Sequence, residues 1–162
     1  MGGFFGVASK EACNLDLFYG TDYHSHLGTR RGGMATYGSD IGIGCISDYD
    51  PQPILIQSHL GCFGITTVGK INNADQLIRN LYENGHTHFQ SMTNGQINST
   101  ELVAALICKK DSFVEGIRYV QSVVEGSMTL LLLTEWNLCS QRPSRTYTGC
   151  DRKERECILR FL

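Results

Sequence analysis

Apolar positions along the chain follow two rhythms. Short continuous runs of strand length occur at 2–8 (GGFFGVA), 32–37 (GGMATY), 41–46 (IGIGCI) and 127–134 (SMTLLLLT). The alternating glycines of 41–46 imply close backbone approach from a neighbour rather than weak pairing. Pro51 and Pro53 bracket a turn, and 54–58 and 62–67 read as a hairpin across His59-Leu60-Gly61. Helical spacing takes over elsewhere. Ser9 or Lys10 is expected to open a helix through Leu15, Leu17, Phe18 and Tyr19. Asn73 is expected to cap a helix with Leu77, Ile78 and Leu81 on one face, stopped by Gly85. Asn98-Ser99-Thr100-Glu101 is close to a capping box and precedes Leu102, Val103, Leu106 and Ile107. A further helix at 112–125 carries Phe113, Ile117, Val120 and Val124 on one face and ends before Gly126. The order is strand, helix, several strands, three helices, strand. Adjacent strands favour hairpin pairing, and helices on the outer faces of two packed sheets would bury the whole pattern.

Composition narrows the function classes. At 162 residues, with 41% hydrophobic and 19% charged residues, the chain fits one domain with a sizeable core. Its net charge of −2, with no basic run before the tail, argues against a nucleic-acid partner. No apolar run approaches the roughly 20 residues of a membrane span, and Lys10 and Glu11 interrupt the start before a signal-peptide core can form. Gly6 stands where a myristoylation motif wants Ser or Thr. A cytoplasmic protein without a membrane partner is expected.

Candidate chemistry is sparse. Seven Cys form no C-x-x-C pair, and Cys13, Cys45, Cys62 and Cys108 in apolar stretches read as buried, reduced thiols. His24-x-His26 and His86-x-His88 have metal-ligand types, but no carboxylate or Cys lies at a motif distance, so no metal is expected. Asp40, Asp48 and Asp50 read as a solvated turn.

Several ordered blocks carry a resemblance. Met1-Gly2-Gly3-Phe4-Phe5-Gly6 is similar to a Met-Cys-Gly-hydrophobic-hydrophobic-Gly start, and Thr29-Arg30-Arg31-Gly32-Gly33 to a His-Arg-Gly block. The 43–48 segment with Pro51-Gln52-Pro53 resembles Ile-Gly-His-Val-Arg-Tyr followed by Gln-Pro. The 67–74 segment resembles His-Asn-Gly-Asn-Leu-x-Asn, and Asn98-Ser99-Thr100-Glu101 resembles Ser-Asp-Thr-Glu. Leu130 to Glu135 resembles the strand that precedes Ala-x-Arg-Asp. Together, over residues 1–135, the chain resembles the glutaminase-type domain of class II glutamine amidotransferases of the amidophosphoribosyltransferase kind. The resemblance implies an α+β fold, the four-layer αββα sandwich of the Ntn-hydrolase type, here incomplete. It implies descent from an enzyme of purine or related nitrogen metabolism that converts glutamine to glutamate and passes ammonia on. It implies no cofactor, with glutamine or a related small molecule as ligand and a phosphoribosyltransferase domain as partner in full-length relatives.

The family's chemistry uses an amino-terminal Cys thiolate with its own α-amino group as base. A backbone N–H and an Asn amide hold the oxyanion. An Arg holds the substrate carboxylate and an Asp its amino group. This chain departs at nearly every position. Gly2 stands at the nucleophile, Val68 at the oxyanion Asn with Gly69 retained beside it, Ser47 at the carboxylate-binding Arg, and Ser99 at the amino-binding Asp. Arg31 alone keeps its type. No intact catalytic residue is expected, and with the nucleophile gone the covalent route itself is lost. The rival reading is a non-catalytic ligand-binding or interaction module derived from the fold.

After Glu135 the resemblance stops, and 136–162 is polar, Arg-rich and without period. Codons for Trp136 onward permit, one base out of frame, the family's Gly-Ile-Tyr-Ala-Ala-Arg-Asp segment. A frameshifted, unstructured tail is therefore expected. Only Gly38-Ser39-Asp40 joins 32–37 to 41–46, where the family carries another strand and helix, so the chain reads as internally shortened.

Overall fold

The computed structural model describes residues 2–28, 30–83, 85, 88–90, 92–93, 95–134, 137–141 and 147–151, the segments 92–93, 137–141 and 147–151 through their backbone alone. The first sheet holds β1 (Gly2–Ala8), β2 (Arg31–Tyr37) and β3 (Ile41–Ser47) in the order β1-β3-β2, all antiparallel. The second holds β4 (Ile54–Ser58), β5 (Gly61–Ile71), β8 (Gly126–Thr134), β9 (Asn137–Gln141) and β10 (Tyr147–Asp151) in the order β10-β9-β8-β5-β4. A two-residue pair, β6 (Met92–Thr93) and β7 (Gln96–Ile97), stands apart. The helices are α1 (Asn14–Asp22), α2 (Ala74–Glu83), α3 (Ser99–Ile107) and α4 (Phe113–Val123), with a 3-10 turn at Tyr23–Leu27 after α1. Among the described residues no helix is long and apolar enough to cross a membrane.

Side-chain alternation along the strands sorts the core into layers. Phe63 and Ile65 of β5 and Leu130 and Leu132 of β8 face α2–α4 and pack with Leu77, Leu81, Leu106, Ile117 and Val120. The intervening Leu131 and Leu133 face the other sheet and meet Ile41 and Ile43 of β3. On the far side of the first sheet, Val7 packs with Cys13 and Leu17 of α1. The glycines of β3 serve that contact: a Cβ on Gly42 would meet the Leu17 side chain at 2.5 Å, and one on Gly44 would meet Thr21 Oγ1. The result is the expected αββα sandwich, with a single helix on the small sheet.

Several local expectations change. The first helix opens at Asn14, not at Ser9 or Lys10, because Ser9 N and Cys13 N donate to Asp40 O and Ser39 O and tie 9–13 to the short turn. Asn73 does not cap α2 with its side chain; it donates to Val123 O at 2.8 Å and accepts from Glu125 N at 3.0 Å, fastening α2 to the end of α4. Asn98 does cap α3, accepting from Thr100 N at 2.8 Å, but Glu101 leaves the box open and takes Gln90 N at 2.8 Å. Cys13 and Cys45 are buried and Cys108 is half-buried, whereas Cys62, at the mouth of the β4–β5 hairpin, is exposed. All four are free thiols.

The tail is corrected in part. Residues expected to be unstructured form β9 and β10, with β9 pairing along β8 from Leu130↔Gln141 to Leu133↔Leu138. The edge of β8 is therefore occupied by a strand. The rest of the tail lies outside the described residues.

Candidate functional site

The strand register gathers three of the positions singled out in the sequence. Gly2 opens β1 and pairs with Ser47 at the end of β3. Arg31 opens β2 and pairs with the same Ser47 from the other side. The three form one row across the small sheet. Each lies an even number of residues from the inward-facing positions of its strand, so the row faces the second sheet. Ser47 is buried and Arg31 exposed.

Val68 lies in β5 of the second sheet. Between β3 and β5, a Cβ on Gly64 would lie 3.6 Å from Ile43, and Thr66 neighbours Cys45. Two residues on from Thr66, Val68 is half-buried and on the same inner face of β5. Gly69 follows with φ +142°, a conformation that favours glycine, and a Cβ there would collide with Ser127 O. The backbone at this point admits glycine alone.

The loop after Ser47 binds the row to the rest. Ser47 Oγ accepts from Tyr49 N at 3.2 Å, so the hydroxyl is committed to its own turn. Asp50 Oδ2 accepts from Ser99 N at 3.2 Å, placing a carboxylate on the amino end of α3, where the helix dipole favours it. The expected solvated turn of acidic residues thus has a structural role through Asp50. Pro51 O accepts from Asn98 Nδ2 at 3.2 Å. Gln52 Oε1 accepts from both Thr66 Oγ1 and Thr67 N, each at 2.7 Å. Thr67 Oγ1 is 2.7 Å from Thr100 Oγ1. The loop therefore ties Ser47, the residue before Val68 and the start of α3 into one connected, largely buried network. Gln52, Thr67 and Thr100 were not read as site residues from sequence. A Gln between two prolines and a Thr inside an apolar strand were the available signals.

What this arrangement can do chemically is limited. Gly2 offers no nucleophile, and a Cβ there would lie 2.6 Å from Ile46 O, so the backbone leaves no room for a side chain in its present position. The nearest thiol on the inner face is Cys45. Burial pushes it up to about 11, partly offset by the Thr66 hydroxyl, so at neutral pH it is a protonated, inert thiol. Ser99 is exposed, its backbone N–H engaged by Asp50. The histidines bond backward to the chain, His24 Nδ1 to Gly20 O at 2.8 Å and His26 Nδ1 to Tyr23 O at 2.7 Å. His86 lies outside the described residues. A separate cavity of about 250 Å³ lies in the helix layer, lined by Asn73, Gln76, Asn80, Lys109, Tyr119 and Glu125 among others. None of the row residues lines it.

Comparison with known proteins bears on the fold. The chain has the fold of the amidophosphoribosyltransferases over most of its length. The structure of glutamine phosphoribosylpyrophosphate amidotransferase from B. subtilis, complexed with ADP and GMP, superposes with a TM-score of 0.75 at 22% identity, covering 88% of this chain and 37% of that one. A structure described as the allosteric regulatory enzyme of purine biosynthesis gives a TM-score of 0.71 at 20% identity over the same shares. In sequence, the chain is 26% identical over 178 residues to the amidophosphoribosyltransferase of Methanocaldococcus jannaschii, covering 88% of this chain and 37% of the relative. No protein-family model matches. The chain thus spans just over a third of the length of these relatives. The match with the archaeal relative is longer than the 162 residues present here, so that relative carries residues this chain lacks.

Proposed function

We propose that this chain is the glutaminase-type module of an amidophosphoribosyltransferase-like protein, retained as a folded unit after loss of its hydrolytic chemistry. The observation that carries the reading is the Gly2–Ser47–Arg31 row on the inner face of the small sheet. On this reading the positions that would carry the chemistry hold no thiol at Gly2, no guanidinium at Ser47 and no amide at Val68. Among the positions singled out, Arg31 is the cation that could receive a carboxylate. In this reading the module works in the cytoplasm beside a phosphoribosyltransferase domain, in purine or related nitrogen metabolism, and the ammonia for any transfer comes from elsewhere.

A second reading has specific support. The network centred on Gln52 closes the loop over the site through bonds that serve packing rather than a substrate. That favours a purely structural or interaction module. The two readings separate on ligand binding. Purified chain incubated with glutamine should release no glutamate above a heat-treated control; release abolished by heating would refute both. Titration calorimetry with glutamine and glutamate then divides them. Binding that weakens in an Arg31→Ala variant supports a vestigial substrate site, and no binding by wild type supports the interaction module.

A further inference from the structure

We infer that β2 is a self-pairing edge, through which two copies of this chain join their small sheets into one six-stranded sheet. β2 is the terminal strand of the order β1-β3-β2. Among the described residues, none of its backbone groups bonds to anything on the side away from β3. Natural edge strands are usually protected by Lys, Pro, a bulge, shortness or a covering element. Here the seven residues Arg31–Tyr37 pair regularly with β3 from end to end, contain no proline, and carry one charge, at the first position. Met34 and Tyr37 are exposed at 48% and 42%. The three-residue link Gly38-Ser39-Asp40 carries no element to cover this edge, and the archaeal relative has residues that this chain lacks.

The sequence of β2 selects a second copy as the occupant. Antiparallel self-pairing overlaps all seven residues in one register, with Met34 on the two-fold axis. In that register Gly32 faces Thr36 of the other copy and Gly33 faces Ala35, so a small residue meets a larger one at each step. Arg31 faces Tyr37, which sets the cation against an aromatic ring and keeps the two Arg31 side chains apart at opposite ends. Such a pair is isologous and closes at two copies.

Sedimentation equilibrium of the full chain over a range of concentrations tests this. The expected result is a monomer–dimer equilibrium reaching twice the chain mass. Met34→Lys and Met34→Glu should each be monomeric, because like charges meet on the axis. An equimolar mixture of the two should recover the dimer, because Lys then faces Glu. As a measurement free of variants, amide exchange at 32–36 in wild type should slow as concentration rises. A wild type that stays monomeric throughout overturns the inference. So does association, closed or open-ended, that survives Met34→Lys unchanged, since it would use another surface. Exchange at 32–36 that is independent of concentration in an associating wild type overturns it as well.

Discussion

Gln52 holds the backbone of Thr67, its Oε1 accepting the Thr67 amide at 2.7 Å across 15 residues of sequence. The same oxygen takes the Thr66 hydroxyl, and both threonines are buried. Gln52→Ala removes the acceptor and leaves a buried N–H and a buried hydroxyl without it. An unsatisfied buried donor costs about 1–3 kcal/mol. The variant should lower Tm by several degrees, at about 2–4 °C per kcal/mol for a chain of this length. A Tm within 1 °C or so of wild type would mean that water replaces Gln52 without loss.

Two glycines in β5 separate backbone strain from crowding. Gly61 has φ +100° with nothing near its missing Cβ, whereas Gly69 has φ +142° and Ser127 O in collision with it. Gly61→Ala should cost only the strained conformation, about 1 kcal/mol. Gly69→Ala adds a backbone collision with β8 and should destabilise by several kcal/mol, on the order of the largest single-substitution effects. Urea unfolding of both variants decides it, and equal midpoints would refute the distinction.

Cys45 gives a signed pH dependence. The ordinary thiol value is 9.0 and burial raises it to about 11 in the folded chain. Between those values the unfolded chain has lost a proton that the folded chain keeps, so stability falls as pH rises from about 9 to about 11. Below pH 9 this group contributes no slope. Two units correspond to about 3 kcal/mol. Stability curves of wild type and Cys45→Ala should therefore converge toward each other as pH rises through this range. At neutral pH, iodoacetamide with mapping of the sites should label exposed Cys62 well before Cys45. Early labelling of Cys45 would contradict the burial.

The legible parts of the fold were those fixed by local pattern. Phe63 and Ile65, and Leu130 to Leu133, announced strands through apolar runs, and Asn98 announced α3 through its own capping oxygen. The candidate positions were singled out because each lies in a block with its own wording. Their convergence was not legible, because the pairing of Gly2 and Arg31 with Ser47 is a long-range register that no window of sequence contains. Asn73 misled for a related reason: a residue type suited to an N-cap spends its side chain on the far end of α4. The strands at 137–141 and 147–151 were hidden because their residues lack alternation, and backbone pairing to β8 needs none.

If Gly2 stands at a former nucleophile position, as proposed, a thiol placed there should not by itself produce activity. In Gly2→Cys the new Cβ would meet Ile46 O at 2.6 Å, closer than real Cβ contacts, so the start of β1 must shift away from β3. On the proposed reading Ser47, Val68 and Ser99 still lack the groups that would clamp substrate and oxyanion, and a missing oxyanion donor alone costs about 10²–10³ in rate. Glutamate release by Gly2→Cys should stay at the blank, with a Tm below that of wild type. Measurable turnover by this single variant would show that the clamps are dispensable and would remove the basis for reading the site as lost.

The last test concerns β9. Its pairing from Leu130↔Gln141 to Leu133↔Leu138 covers the edge of β8, the strand that supplies Leu130, Leu131 and Leu132 to both faces of the second sheet. If that pairing contributes to stability, a chain ending at Thr134 presents β8 as a bare apolar edge, a form prone to pairing with other chains. The truncated chain should unfold at lower urea than the full chain and form large species on size-exclusion chromatography. The Met34→Lys substitution should not prevent these, because the exposed edge now lies in the other sheet. In the full chain, amides of Leu130–Leu133 should exchange slowly, and truncation should speed them. A truncated chain as stable and as monodisperse as the full one would show that 137–162 adds nothing to the sheet, leaving the out-of-frame reading of that segment as the better account of it.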